Sequence, residues 1–267
     1  MDGEKNVVIF GESGSGKSSI VNLLLGKPVA QVSDRAVGCT FEFSKYTAPN
    51  YNLFDTVGLS EGSEGTVSQK FAVNQLINLL KSLENGVSLL VFVMEKGRIK
   101  KSLDENYKLF VEAICMGKVP VVLVITHCEM EPVLGKWWED NRQYFDKYRM
   151  TFTSVVCGCS MNPEMAPALM QPMVKSLNDT TVAQLSKAIS SSMLVPGWKV
   201  KGGWKTLLQT ILRRIVKIIC IFLQLPDVNL FAGSELSFED RLFVYFKGQG
   251  YDELLSKQMA KDIANVV

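Results

Sequence analysis

The sequence has 267 residues, of which 47% are hydrophobic and 21% are charged, and this composition excludes a disordered chain. The formal net charge of +2 excludes a strong basic field, so we expect no nucleic-acid partner. The six cysteines follow no zinc-binding pattern, and the first residues resemble no signal peptide. We therefore expect reduced thiols and a cytoplasmic protein.

The first two thirds of the chain alternate between apolar runs and helical patterns. Strands are predicted at 6–10, 40–48, 51–56, 87–94, 119–126 and 151–157, and helices at 17–25, 67–83, 102–117, 136–148 and 179–193. A Pro-Asn turn joins the second and third strands into an antiparallel hairpin. Continuous apolar strands alternating with helices predict an α/β fold with a mostly parallel sheet, covered on both faces.

The composition changes at Pro196, which predicts one domain at 1–195 and an extension at 196–267. The extension starts with a linker rich in glycine and lysine, and two short helix candidates follow at about 235–247 and 251–264. Between the linker and these helix candidates lies a basic and hydrophobic segment at 206–225, whose apolar run is too short to span a bilayer.

Two interpretations of the basic and hydrophobic segment remain open. No acidic residue occurs from Thr180 to Pro226, and Trp198 and Trp204 precede the segment. A helix with basic residues, tryptophans and no acids suits a membrane surface, which predicts a peripheral contact through 198–225. The alternative is a helix that packs on the rest of the protein.

Residues 11–19, "GESGSGKSS", follow a predicted strand, open a predicted helix and fit the pattern G-x-x-x-x-G-K-[ST]. Glycines allow backbone N–H groups to surround phosphates, and the helix N-terminus adds partial positive charge. Lys17 would reach the β- and γ-phosphates, and the Ser18 hydroxyl would bind Mg²⁺. The predicted nucleotide-binding residues of this loop are Gly11, Glu12, Ser13, Gly14, Ser15, Gly16, Lys17, Ser18 and Ser19.

A second motif, "DTVGL" at 55–59, ends the hairpin's second strand. Asp55 is placed to hold Mg²⁺ through water, and the Gly58 N–H to bond the γ-phosphate and release it after hydrolysis. Thr40, just before the hairpin, is the expected second hydroxyl ligand of the metal. The predicted metal ligands are therefore Ser18, Thr40 and Asp55.

The ordered set "GESGSGKSS", Thr40, "DTVGL" and "THCE" (126–129) resembles the translation-factor-related class of P-loop GTPases. Within this class, residues 5–195 are most similar to the septin-like branch that includes immunity-associated (GIMAP-type) and chloroplast-import (Toc-type) GTPases. They also resemble fungal G domain proteins. The resemblance implies a Ras-like G domain with one antiparallel strand, and GTP or GDP with Mg²⁺ as cofactors.

In this class a [NT]-K-x-D element reads the guanine base, and here Thr126, His127 and Glu129 occupy its positions. A carboxylate accepts hydrogen bonds from the ring N1–H and the exocyclic amine, and Glu129 offers one on a longer side chain. His127 either stacks on the base or caps the strand end. After the sixth strand, the backbone N–H groups of Cys157 and Gly158 are further candidates.

Leu59 stands where Ras-type enzymes place the glutamine that orients water, so we expect slow hydrolysis. The resemblance implies that nucleotide-bound domains pair face to face and that Arg98 reaches the partner's nucleotide. Arg98 could instead belong to a solvated basic loop, and Arg35 could act in cis. The predicted catalytic residues are Lys17, Thr40, Gly58 and Arg98.

The sequence thus favours a slow GTPase switch stimulated by dimerisation or by a partner. The alternatives are a nucleotide-dependent assembly module with little turnover and a P-loop ATPase or kinase.

Overall fold

The computed structural model describes residues 4–30, 43–56, 79, 82–83, 85–199, 237, 239–240, 243–244, 247 and 252–264. The chain divides into two compact units, Met1–Ser63 with Asn85–Lys199 and Glu64–Glu84 with Val200–Val267. Several predicted features lie outside the described residues, namely Arg35, Thr40, Gly58, Leu59, most of the 67–83 helix and the 206–225 segment.

The first unit contains a six-stranded sheet in the order β2-β3-β1-β4-β5-β6. The strands are β1 (Asn6–Gly11), β2 (Phe43–Thr47), β3 (Asn52–Thr56), β4 (Leu89–Glu95), β5 (Val121–Thr126) and β6 (Ser154–Cys157). All neighbouring pairs are parallel except β2 with β3. The predicted α/β fold with a mostly parallel sheet and one antiparallel strand is confirmed.

Burial on both faces explains why the central strands are almost continuously apolar. Every residue of β1 and β5 is buried, and so is every residue of β4 except the last. Parallel strands covered by helices on both sides show this pattern. β2 lies at the sheet edge, and its residues are only half-buried or exposed. The main core includes Val7, Ile9, Val91, Val93, Val122 and Val124.

The described part of the first unit contains four α-helices. They are α1 (Lys17–Leu25), α2 (Lys101–Tyr107), α3 (Lys136–Lys147) and α4 (Gln171–Ser192). A π-helical segment, Lys108–Ile114, directly continues α2, so together they cover most of the predicted 102–117 helix. The second unit contains α5 (Glu253–Ala264), at the position predicted for the last tail helix. None of the helices in the described part of the chain is long and apolar enough to cross a membrane.

The start of α2 differs from the predicted start at Ser102. The helix begins one residue earlier, Lys100 occupies the N-cap position, and no side chain caps it. The Ser102 hydroxyl instead donates to the carboxylate of Glu12 in the phosphate loop. A charged acceptor forms a stronger hydrogen bond than a neutral one. The serine that suggested a helix start therefore makes a tertiary contact.

The last helix of the first unit, α4, begins at Gln171 rather than at about 179. Pro172 lies in its first turn, where the missing N–H removes no intrahelical hydrogen bond. The additional turns are held by packing, because Val174 is fully buried in a small cluster with Cys159 and Ala166.

Residues 196–199, which were predicted to start the linker, contact the first unit. The backbones of Trp198 and Val87 exchange two hydrogen bonds of 2.8 and 2.9 Å in an antiparallel bridge. This unit therefore extends to Lys199.

Candidate functional site

The candidate site lies at the carboxyl ends of the parallel strands β1, β4 and β5. In an open parallel sheet, ligands bind outside the carboxyl ends of the strands. The side chain of Thr126, at the end of β5, lies between the other two strand ends. Its hydroxyl oxygen is 2.9 Å from the Ser15 carbonyl oxygen and 3.1 Å from that of Met94. The phosphate loop, the end of β4 and the predicted base-reading element thus meet at one place.

Two glycines shape the phosphate loop because the backbone passes close to other groups. A β-carbon on Gly11 would lie 2.0 Å from the Val93 carbonyl oxygen, so only glycine lets β1 end against β4. Gly16 is the N-cap of α1 with a φ of 88°, and a β-carbon there would lie 3.1 Å from the Ser160 hydroxyl. The loop therefore turns directly into the N-terminus of α1, where anions are favoured.

Lys17 is buried, and its ammonium group lies over the phosphate loop. Nζ donates to the carbonyl oxygens of Gly11 at 3.2 Å and Glu12 at 2.5 Å. Burial lowers the pKa of Lys17 from 10.5 to about 8, although the charges of Asp55 and Glu12 act in the opposite direction. The lysine is thus fixed at the place where the motif requires a cation for phosphate.

Ser18 and Asp55 lie together, as the metal-site prediction requires. The Ser18 hydroxyl donates to Oδ2 of Asp55 at 2.9 Å. The other carboxylate oxygen, Oδ1, is buried and has no hydrogen-bond partner among the residues that the structure describes. Burial raises the pKa of the Asp55 carboxyl against the effects of Ser18 and Lys17. A hydroxyl beside a carboxylate with a free oxygen fits Mg²⁺, which prefers oxygen ligands.

The two residues that follow one another at the end of β5 have different environments. Thr126 is buried, whereas His127 is exposed and has a φ of 60°, which is uncommon outside glycine. His127 Nδ1 lies 3.1 Å from the Thr126 hydroxyl. Thr126 therefore holds the phosphate loop, and the imidazole next to it stays accessible. Both interpretations of His127, base stacking and strand capping, are compatible with this geometry.

Glu129 is half-buried at the start of the loop after β5. Its carboxylate lies beside the Cys159 thiol, which follows β6. Burial raises the pKa of the Cys159 thiol, and the charge of Glu129 and a hydrogen bond to it act in the same direction. The carboxylate proposed for the base thus lies between the loops after β5 and β6.

The prediction that the Gly158 N–H reads the base is wrong. This N–H donates to the Ile125 carbonyl oxygen at 2.9 Å and so belongs to the sheet. Glycine is required here for packing, because a β-carbon would lie 2.3 Å from the Thr181 hydroxyl oxygen. Cys157 lies beside Ile125 in the sheet, and a hydrogen bond from the Cys128 thiol lowers the pKa of its buried thiol.

Three residues near the phosphate loop were not predicted from the sequence. Ser160 lies against Gly16, and Lys100 and Ser102 contact Glu12. No motif marks them, because each reaches the loop from a distant part of the chain. The position of Ser160 after β6, where the class has its last base-reading element, was the one available signal. Arg98 is exposed in the loop between β4 and α2.

The sequence comparisons agree with this geometry. Residues 6–127 match the family described as 50S ribosome-binding GTPase. The immune-associated nucleotide-binding protein 3 of Arabidopsis thaliana is 36% identical over 150 residues. This alignment covers 54% of the chain but 42% of the relative, so the chain matches less than half of that protein's length.

The fold is shared with the solved structure of Era. Era in complex with MgGDPNP and a 16S ribosomal RNA fragment aligns with a TM-score of 0.51 at 18% identity. The alignment covers 75% of this chain and 60% of Era. Toc33 of Arabidopsis thaliana, in complex with GDP and Mg²⁺, aligns at a lower TM-score of 0.41 and 19% identity, covering 68% of this chain and 86% of Toc33.

The strand order, the phosphate loop and the sequence match lead to the same class. The resemblance to the septin-like branch and to fungal G domain proteins stays a prediction. The chain has the α/β fold of P-loop GTPases, and part of it is similar in sequence to the immune-associated nucleotide-binding proteins.

Proposed function

We propose that this chain is a guanine-nucleotide switch that hydrolyses GTP slowly and is stimulated by dimerisation or by a partner protein. The observation that carries the proposal is the arrangement of Lys17, Ser18 and Asp55 around the phosphate loop. It offers an ammonium group for phosphate oxygens and two oxygen ligands for Mg²⁺. This combination is typical of P-loop enzymes that act on nucleoside triphosphates.

Each of these residues has a separate task. Lys17, held by two loop carbonyls, would donate to the β- and γ-phosphate oxygens. The Ser18 hydroxyl and the Asp55 carboxylate, whose Oδ1 has no partner among the described residues, would hold Mg²⁺, which neutralises phosphate charge when bound. Thr126 fixes the Ser15 carbonyl and thereby keeps the loop in a binding conformation.

The choice of guanine is supported by Glu129 and His127. An exposed imidazole and a half-buried carboxylate lie two positions apart in the loop after β5. The carboxylate can accept two hydrogen bonds from guanine, and adenine offers no matching pair of donors. Two of the similar proteins support GTP or GDP with Mg²⁺ as cofactors. The relatives are named as nucleotide-binding proteins, and Era was solved with MgGDPNP bound.

Slow turnover and dimerisation are supported by two residues. Leu59 cannot orient the attacking water, so the chain needs a group from elsewhere for fast hydrolysis. Arg98 is exposed two residues before Lys100, whose ammonium lies 3.7 Å from the phosphate-loop residue Glu12. We infer that Arg98 acts on the nucleotide of a second copy bound face to face.

A second candidate function is a nucleotide-dependent assembly module with little turnover. Leu59 favours it, because a domain without a water-orienting residue can hold GTP as a structural ligand. Turnover measured over a range of protein concentrations separates the two candidates. A rate per molecule that rises with concentration supports the switch, and negligible turnover at every concentration supports the module.

Nucleotide competition tests the proposed base preference. Displacement of a fluorescent GTP analogue by GTP and by ATP would be measured for the full chain and for Glu129→Ala. We expect GTP to compete about a hundredfold better than ATP, and Glu129→Ala to lose at least about tenfold in GTP affinity. Glu139→Ala, an exposed glutamate on α3, is the matched control and should bind like the parent chain. Equal competition by ATP would instead indicate an ATPase or kinase.

The location of the protein is a separate proposal. A cytoplasmic protein with a peripheral membrane contact through 198–225 is supported by the acid-free sequence from Thr180 to Pro226. Flotation of the full chain with anionic and neutral vesicles tests it. Binding to the anionic vesicles alone is expected, and no flotation would contradict the membrane contact.

A further inference from the structure

Glu12 is an acidic residue in a loop that binds phosphate, where a carboxylate would repel the ligand. Its side chain is 12% exposed and points to the start of α2 rather than to solvent. The Ser102 hydroxyl donates to Oε1, and the Lys100 ammonium lies 3.7 Å from Oε2. The charge is thus bound to partners on another element.

The backbone of the same residue holds Lys17. The Glu12 carbonyl oxygen accepts a hydrogen bond of 2.5 Å from Lys17 Nζ. A change in the orientation of Glu12 would therefore move an acceptor that fixes the ammonium group. The side chain and the carbonyl of one residue connect α2 to the lysine that binds phosphate.

The backbone of Ser102 is itself fixed by a hydrogen bond from a side chain one turn further along α2. The buried Asn106 side chain donates through Nδ2 to the Ser102 carbonyl oxygen at 2.8 Å. The chain of contacts therefore runs from Asn106 through Ser102 and Glu12 to Lys17. Each contact in it joins groups that are buried or half-buried, where a lost partner costs more than at the surface.

We propose that Glu12 is a positioning residue, which links the phosphate loop to the first turn of α2 through Ser102 and Lys100 and so fixes Lys17 for nucleotide phosphate. The inference rests on the proposed nucleotide binding. The two partners of Glu12, Lys100 and Ser102, lie two and four residues after Arg98 in the chain. The residue acts through Lys17 and needs no contact with the nucleotide.

The test measures release of a fluorescent GTP analogue from four full-chain variants: Glu12→Ala, Glu12→Gln, Ser102→Ala and the double variant Glu12→Ala with Ser102→Ala. Glutamine keeps an oxygen acceptor for Ser102, and it removes the charge that repels phosphate together with the ion pair to the exposed Lys100, which contributes little at the surface. We expect Glu12→Ala and Ser102→Ala each to release nucleotide about tenfold faster, and Glu12→Gln to release it at the parent rate or more slowly. The double variant should be no faster than the single ones, because both remove the same link.

Thermal unfolding of the same variants and of the control Glu139→Ala separates positioning from stability. Faster release with an unchanged unfolding midpoint supports the proposal. Three results would each overturn it. These are equally fast release from Glu12→Gln and Glu12→Ala, additive effects on the release rate in the double variant, and release from Ser102→Ala at the parent rate. If the parent chain binds no guanine nucleotide, the proposed function fails. If the parent chain binds it and the variants release it at the parent rate, the positioning role of Glu12 fails and the proposed function stands.

Discussion

At the residue scale, the buried Lys17 determines how the site responds to pH. Burial lowers its pKa to about 8, so the folded chain holds this proton less tightly than the unfolded chain, whose lysine titrates near 10.5. Between these two values the unfolded state binds more protons, and the stability of the nucleotide-free protein rises with pH. Below about pH 8 the lysine is charged in both states, and the full cost of burying the charge is present.

Nucleotide binding should show the opposite dependence on pH. Phosphate requires the ammonium form of Lys17, so above its pKa binding must take up a proton. We expect GTP affinity to fall about tenfold from about pH 7 to about pH 9, with proton uptake in calorimetry in buffers of different ionisation enthalpy. Lys17→Arg is the control, because guanidinium stays charged over this range and removes this source of pH dependence. Equal pH profiles for lysine and arginine would contradict the shifted pKa.

At the element scale, the sequence predicted the strands well because the central ones are apolar along their whole length. The site was predictable where a motif and its flanking elements coincide, as for Lys17 with β1 and α1, and for Asp55 at the end of β3. Contacts between distant elements were not predictable. The hydrogen bond from Ser102 to Glu12 and the sheet hydrogen bond of Gly158 depend on how elements pack, and no local pattern encodes them.

The junction between β6 and α4 offers a direct test of such packing. A β-carbon on Gly158 would lie 2.3 Å from the Thr181 hydroxyl oxygen. Thr181 cannot rotate away without loss, since its hydroxyl accepts from the Cys159 N–H and donates to the Leu177 carbonyl. We expect Gly158→Ala to lower the free energy of unfolding by about 1–3 kcal/mol, measured by urea denaturation.

Gly97→Ala is the matched control for this substitution, because nothing lies within 4 Å of its added β-carbon. It should change the free energy of unfolding by no more than about 0.5 kcal/mol. Similar losses in both variants would show that the close approach of Gly158 to Thr181 does not limit stability.

At the scale of the whole molecule, the G domain supplies phosphate and metal ligands but lacks a residue that orients water at position 59. Under the proposed function, the chain would hold its nucleotide until another group completes the site. The exposed Arg98 is in the loop after β4, at the same sheet edge as the phosphate loop. A second copy facing this edge could therefore receive an arginine, and each copy would complete the other.

Association should then control turnover. We expect the GTP hydrolysis rate per molecule to rise with protein concentration over the range in which dimers form, measured by phosphate release. Arg98→Ala should reduce the dimer's rate about tenfold or more, because removal of an arginine that stabilises transition-state charge costs at least this much. Arg142→Ala, an exposed arginine on α3, controls for loss of surface charge and should keep the parent rate.

Sedimentation should show that Arg98→Ala still dimerises with GTP bound, which separates catalysis from association. A concentration-dependent rate that Arg98→Ala leaves unchanged would contradict the role of this arginine, whereas a rate independent of concentration would contradict dimer stimulation itself.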